Sequence, residues 1–393
     1  MKKRLCIMLT FLVVMQLFVL CSCKKNHSET IEEKEKIYIH AGMEAVVGGD
    51  YVLFPKKAAY NYCDSPMTSA LSIYNTALGS PEDSPLHSVP LSFYIVDKEL
   101  TAENDGMPVF YALQNLSKWA DDGKTILNYG EIILYDMATN TGKTIISEIP
   151  GTVSEFGLYS DTLLFKVDEA DEGWNIYAIG VDGKNLRKIP NPDKNKCGLQ
   201  TVYDGKVYYT IGGTKLYRCN LDDLSDSEYI FDIQSLAIKS FVCGDYIYYT
   251  RNQHKVNFEK GSITAYDLYR RPLDNLEKEE LFIKDITRGQ MMGKNFYYYT
   301  ADNCTVIPNL NGSNSSKVSY DFGWGVLYCL NTETLESSEV YNIMGEEYMS
   351  KYPLAVSDEY IIFRYVDISK NRYTIVLDLK TGEEKILSDT VLK

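Results

Sequence analysis

Asp204-Gly205-Lys206-Val207-Tyr208-Tyr209-Thr210, followed after a four-residue gap by Lys215-Leu216-Tyr217-Arg218, is the stretch that decides the fold. Asp-Gly favours a tight hairpin turn, and the alternating apolar and aromatic residues after it suit a strand covered on both faces. A copy follows in Gly244-Asp245-Tyr246-Ile247-Tyr248-Tyr249-Thr250, with Asp267-Leu268-Tyr269-Arg270 beyond a longer loop. Fainter copies begin at Gly49-Asp50, Asp122-Gly123, Asp161-Thr162, Gly293-Lys294 and Asp358-Glu359. The turns at 50, 122, 161, 204, 245, 294 and 358 are spaced by 72, 39, 43, 41, 49 and 64 residues.

A recurrence of ~40–45 residues with about four short strands per unit is the period of a β-propeller. A helical repeat of that length would need a 3.6-residue apolar period, and the sequence has almost none. Polar closing turns such as Asn140-Thr141-Gly142-Lys143, Val181-Asp182-Gly183-Lys184 and Lys380-Thr381-Gly382-Glu383 support the same division. A lone four-stranded sheet cannot bury both faces, so the units must stack radially and close on themselves. The expected fold is all-β: a propeller of seven blades of about four antiparallel strands, with eight or six as alternatives. Leu91-Ser92-Phe93-Tyr94-Ile95-Val96 is a strand without an assigned unit, and residues 37–47 are expected to supply an outer strand that latches the ring.

The segments Val207-Tyr208-Tyr209-Thr210 with Leu216-Tyr217-Arg218, and Ile247-Tyr248-Tyr249-Thr250 with Leu268-Tyr269-Arg270, resemble the YWTD propellers of lipoprotein receptors. They resemble more closely the family of unknown function numbered 5050, found in surface lipoproteins of Gram-positive anaerobes. Tyr209 and Tyr249 stand where that motif has Trp, and Ile211 and Arg251 where it has Asp. The resemblance spans roughly residues 150–390, implies a propeller and carries no catalytic residue across.

The N-terminus reads as an address. Met1-Lys2-Lys3-Arg4 is basic, Leu5 to Leu20 is an apolar run, and Leu20-Cys21-Ser22-Cys23 resembles a bacterial lipobox. Residues 1–22 are expected to be a lipoprotein signal peptide, with Cys23 the lipidated residue. The run falls short of the ~20 apolar residues of a spanning helix. Two or three acyl chains hold a protein at a membrane through ~0.8 kcal/mol per buried methylene. Residues 23–36 are polar and charged and form a tether, so 37–393 is the single folded domain. The expected location is the extracytoplasmic face of a cell membrane.

The formal charge of −14, without a basic block beyond the signal peptide, excludes nucleic acid and an anionic bilayer as electrostatic partners. Six further cysteines, Cys63, Cys197, Cys219, Cys243, Cys304 and Cys329, are scattered singly. They read as small buried hydrophobes rather than a disulfide framework, and their spacing fits no zinc site.

No reaction signature stands out. Asp121-Asp122-Gly123-Lys124-Thr125 lacks the leading hydroxyl residue and closing aromatic of an Asp box, and no Gly-x-Ser-x-Gly elbow occurs. Of His27, His40, His87 and His254, the last is placed in a solvated loop beside Lys255. The acidic run Asp168-Glu169-Ala170-Asp171-Glu172-Gly173 departs from a calcium loop at Ala170 and Ile179 and reads as solvated. Trp174 and Trp324 are candidate stacking residues near the mouth of the ring, and Asn311 and Asn314 mark a polar insertion over 309–317. Long loops on a rigid scaffold are where binding resides. The sequence therefore points to a monomeric, non-enzymatic binding module for an envelope protein, peptide or glycan, without cofactor or metal. A glycan hydrolase or lyase, and an envelope sensor or assembly subunit, are the alternatives.

Overall fold

In the fourth and fifth sheets two adjacent tyrosines are both buried, which a strand with one wet face could not satisfy. Tyr208 and Tyr209 point to opposite sides of their strand, yet they are 2% and 0% exposed. Tyr209 packs with Val207, Leu199 and Cys219 against Leu164, Ile176 and Ala178 on one side. Tyr208 packs with Leu216 and Phe231 against Val242, Ile247 and Tyr249 on the other. The fourth sheet is thus the filling between two neighbours.

The computed structural model describes residues 36–390, except 39–45, 49–50, 56–70, 76–79, 84–90, 123, 125, 170–171, 192–193, 195, 225, 234–237, 260, 293–294, 309–319, 343–347, 357–359 and 368–371. Strand β1 (Lys36–Tyr38) comes first, and antiparallel meanders of four strands follow among the described residues. The first sheet is β2 (Val46–Gly48), β3 (Tyr51–Pro55), β4 (Leu71–Asn75) and β5 (Ser80–Asp83). The second is β6 (Leu91–Val96), β7 (Val109–Trp119), β8 (Ile126–Asp136) and β9 (Thr141–Pro150), with the short helix α1 (Lys98–Glu103) between its first two strands. Asp97 caps that helix, its Oδ1 accepting from the Leu100 N–H at 3.0 Å.

The third sheet is β10 (Thr152–Tyr159), β11 (Thr162–Glu169), β12 (Gly173–Gly180) and β13 (Arg187–Lys188). The fourth is β14 (Cys197–Tyr203), β15 (Lys206–Ile211), β16 (Lys215–Asn220) and β17 (Ser227–Asp232). The fifth begins with β18 (Phe241–Cys243), β19 (Tyr246–Phe258) and β20 (Gly261–Pro272).

Its outer strand, β21 (Glu280–Met292), is shared. Residues up to Ile286 pair with β20, and Ile286 to Met292 pair with β22 (Asn295–Thr300) of the sixth sheet. That sheet continues through β25 (Val326–Asn331) and β26 (Ser337–Asn342), with the hairpin β23 (Cys304–Pro308) and β24 (Tyr320–Trp324) inserted before β25. The last sheet is β27 (Tyr348–Val356), β28 (Tyr360–Asp367), β29 (Arg372–Asp378) and β30 (Glu384–Thr390). Strand β2 lies beside both β6 and β27, so the series returns to its start.

Two expectations change. The Asp122 turn joins the second and third strands of its sheet, not the first and second. The first turn there is the stretch 97–108 that holds α1, so Leu91–Val96 is the leading strand of that same sheet and the long interval comes from a misread phase. The N-terminal strand is not an outer latch either. Lys36–Tyr38 pairs antiparallel with Tyr203–Thr201 on the free edge of β14, the leading strand of the fourth sheet. The outer position of the last sheet is already filled by β30, while the β14 edge offers unpaired backbone groups.

The Asp204-Gly205 turn is as the sequence indicates. Both residues have positive φ, 51° and 66°, the backbone of a type I′ hairpin turn. The five described cysteines are free thiols, and all but the half-buried Cys329 are buried; Cys63 lies outside the described residues.

Candidate functional site

Three adjacent strands leave the regular ladder at the same level of the fifth sheet. In β19 the register shifts between Arg251 and His254; in β20 it shifts around Asp267; in β21 the residues between Ile283 and Ile286 are skipped. Asn252 and Asp285 sit at φ 54° and 57°, a region that side-chain-bearing residues seldom occupy. Bulges re-aim side chains that a regular strand would point elsewhere. The displaced residues Asn252, Gln253, His254, Asp267, Lys284 and Asp285 line an open cleft of about 810 Å³.

The ring of His254 is held at both nitrogens. Nδ1 lies 2.5 Å from the Asn252 carbonyl oxygen and Nε2 lies 2.6 Å from Asp285 Oδ1. The Asn252 carbonyl first, and the Asp285 carboxylate second, raise the imidazole above its ordinary value. Asp267 completes the group: its Oδ1 accepts from the Asp285 N–H at 3.2 Å and its Oδ2 from Asn252 Nδ2 at 3.3 Å. One donor atom each from His254, Asp267 and Asp285 lie within 4.8 Å of one another. This trio is what could hold a metal ion.

His254 was expected in a solvated loop and is instead a strand residue opposite Ala265. The loop reading failed because Asn252-Gln253-His254-Lys255-Val256-Asn257 has too little apolar alternation to announce a strand. Asp267 belonged to a repeat unit, but nothing in the sequence linked it to residues 13 before and 18 after it.

Trp174 is half-buried against the core between the third and fourth sheets. The Lys166 ammonium lies 4.1 Å and that of Lys196 5.6 Å from its ring centre, so its face is already occupied. Its carbonyl accepts from Cys197 Sγ and Asn191 Nδ2, both at 2.8 Å. These contacts make it a packing residue. Trp324 ends β24, while Asn311, Asn314 and Cys23 lie outside the described residues. In the acidic run, Lys188 Nζ lies 2.5 Å from Glu172 and 3.7 Å from Glu169, and Tyr177 donates to Glu169.

The third tryptophan belongs to no motif in the sequence. Trp119 ends β7 and faces Ile126 of β8 across the end of a hairpin whose two strands have 11 residues each. It is 65% exposed, Ile126 is 58% exposed, and Leu127 is exposed beside them.

No known protein-family profile matches the sequence, and no curated protein matches it. Solved structures do match in shape. The β-propeller domain of the trilobed protease from Pyrococcus furiosus aligns with a TM-score of 0.52 at 11% identity, over 91% of this chain and 100% of that one. An acylaminoacyl peptidase from Pyrococcus horikoshii aligns at 0.53 and 11%, over 89% of this chain and 52% of that one. TolB from Acinetobacter baumannii is more distant in shape, at 0.38 and 12%, over 75% of this chain and 73% of that one. The fold is a β-propeller. At such identities the likeness speaks to fold alone.

In a propeller built of such meanders, every connection between second and third strands lies on one face. Among the described residues, the β7–β8 hairpin and the β19–β20 hairpin with the cleft therefore share it.

Proposed function

We propose that this chain is a lipid-anchored, extracytoplasmic propeller that works as an interaction module for another component of the cell envelope. The observation that carries the reading is the β7–β8 hairpin, whose rigid 11-residue strands present Trp119 and Ile126 to solvent at their end. Large exposed aromatics on a fixed scaffold are the residue type that dominates binding energy at protein interfaces. The apolar tip favours a polypeptide over a glycan. The lipobox at Cys23 and the tether to residue 36 supply the address, and kinship with the lipoprotein family numbered 5050 belongs to the same proposal.

The test is site-directed photocrosslinking on intact cells, with the reactive group at position 119 and a control at the exposed Lys184 turn. A discrete adduct from 119 and none from 184 supports the reading. Equal labelling from both positions, or turnover of a glycan or peptide library by the purified chain, overturns it.

A further inference from the structure

We infer that the cleft of the fifth sheet binds a divalent transition-metal ion through His254, Asp267 and Asp285. Both ring nitrogens of His254 face acceptors, the Asn252 carbonyl on one side and the Asp285 carboxylate on the other. A neutral imidazole has one N–H and satisfies one of them. The Nε2 side then sets a lone pair against a carboxylate oxygen at 2.6 Å, an arrangement that requires a cation between the two. A second proton fits there at the observed distance, and a metal ion fits once the two atoms move apart.

Three features favour the metal. Nδ1 bonded to a backbone carbonyl is the usual outer support of a metal-binding histidine, because it fixes the tautomer and turns Nε2 to the ion. The second carboxylate, Asp267, lies within the same 4.8 Å span and is surplus to a simple His–Asp pair. Two ligands of one tetrahedral ion at ~2.1 Å each lie ~3.4 Å apart, so His254 Nε2 and Asp285 Oδ1 must open by about 0.8 Å and the Asp267 oxygen must move in by up to about 1.4 Å. Finally, the cleft leaves room for water or a partner's ligand at the remaining positions.

One nitrogen and two carboxylates suit zinc or manganese better than calcium, which prefers six to eight oxygens. Lys284 lines the same cleft, and its positive charge opposes an incoming ion. The site is independent of the Trp119 tip and needs no partner to be tested.

Zn²⁺, and separately Co²⁺, are titrated into the purified full chain by calorimetry and absorption spectroscopy. One saturable site is expected, with Co²⁺ showing d–d bands but no thiolate charge transfer. His254→Ala and Asp285→Asn should each weaken binding by at least about tenfold, and Lys284→Met should tighten it. Circular dichroism confirms that each variant is folded, and Asp267→Asn provides a second variant should His254→Ala fail to fold. No saturable binding of either ion, binding unchanged in all the ligand variants, or a thiolate band that places the ion on cysteine would overturn the inference.

Discussion

Glu155 of the third sheet reaches Lys239, on the approach to the fifth, at 3.0 Å, and the pair bridges past Leu199 in β14, the leading strand of the sheet between them. It can do so because β10 is bulged there: Glu155 has φ 61° and no ladder partner, which turns its side chain toward the next sheet. Its carboxylate also accepts from the Leu199 N–H at 2.7 Å and pairs with Lys166 at 3.2 Å. The device repeats one sheet on, where Gln200, skipped at the bulge of β14, accepts from the Ser240 N–H at 2.9 Å. Glu155→Gln leaves two lysine ammoniums short of their counter-charge. The expected loss is about 3 kcal/mol, at the lower end for a broken buried pair, read from urea unfolding midpoints.

Acid should find Glu279. Burial alone would raise its carboxyl, but hydrogen bonds from Tyr249, Arg251 and Arg271 outweigh burial and hold it down, from 4.5 to about 2. Arg251 Nη1 lies 2.7 Å from Oε1 and 2.8 Å from Oε2, and Arg271 Nη2 lies 3.0 Å from Oε1. A depressed value in the folded state means stability that is whole above pH 4.5 and is lost as the pH falls toward 2. Glu279→Gln should cost about 1–2 kcal/mol at neutral pH, since the site is partly solvated. The unfolding midpoint of the variant should also fall less steeply between those pH values.

The thiols should be silent until the protein opens. Burial pushes Cys197 and Cys219 to about 12 and Cys304 to about 11. At pH 8 a thiol at about 12 is ionised on the order of once in 10,000 molecules and one at about 11 on the order of once in 1,000, and the thiolate is the nucleophile. Mass spectrometry after brief iodoacetamide treatment should find these three unmodified in native protein and fully alkylated in urea. Early labelling of any of them in native protein would contradict the packing.

Gly130 marks a close approach between the second and third sheets. A Cβ there would meet Val153 Cγ2 at 2.3 Å, and Val153 is buried, with its backbone N–H bonded to Asn115 Oδ1 at 2.8 Å. Gly130→Ala should cost about 1–3 kcal/mol by overpacking. Gly205→Ala meets nothing within 4 Å and strains only its φ of 66°, so its cost should be nearer 1 kcal/mol. Thermal unfolding of the pair separates the two causes.

The repeat was legible because its signal is local. Tyr208 and Tyr209 sit beside one another in sequence, and only a strand with two dry faces buries both. The phase at Asp122 was misread because an Asp-Gly turn looks the same whichever two strands it joins. The cleft was illegible for a different reason. His254, Asp267 and Asp285 meet through bulges in three strands, and a bulge is an absence of pairing that no residue pattern announces. Trp119 was visible, but exposure depends on how far a hairpin runs beyond its sheet, which turn residues do not encode.

Strand β21 serves two sheets without a break, changing partners at Ile286, one residue beyond Asp285. Elsewhere a blade could be lengthened, nicked or recut at a surface connection, but this joint has no slack to accept an insertion. The fifth and sixth blades should therefore melt as one cooperative block. A ligand gripping Asp285 would brace that block at its seam.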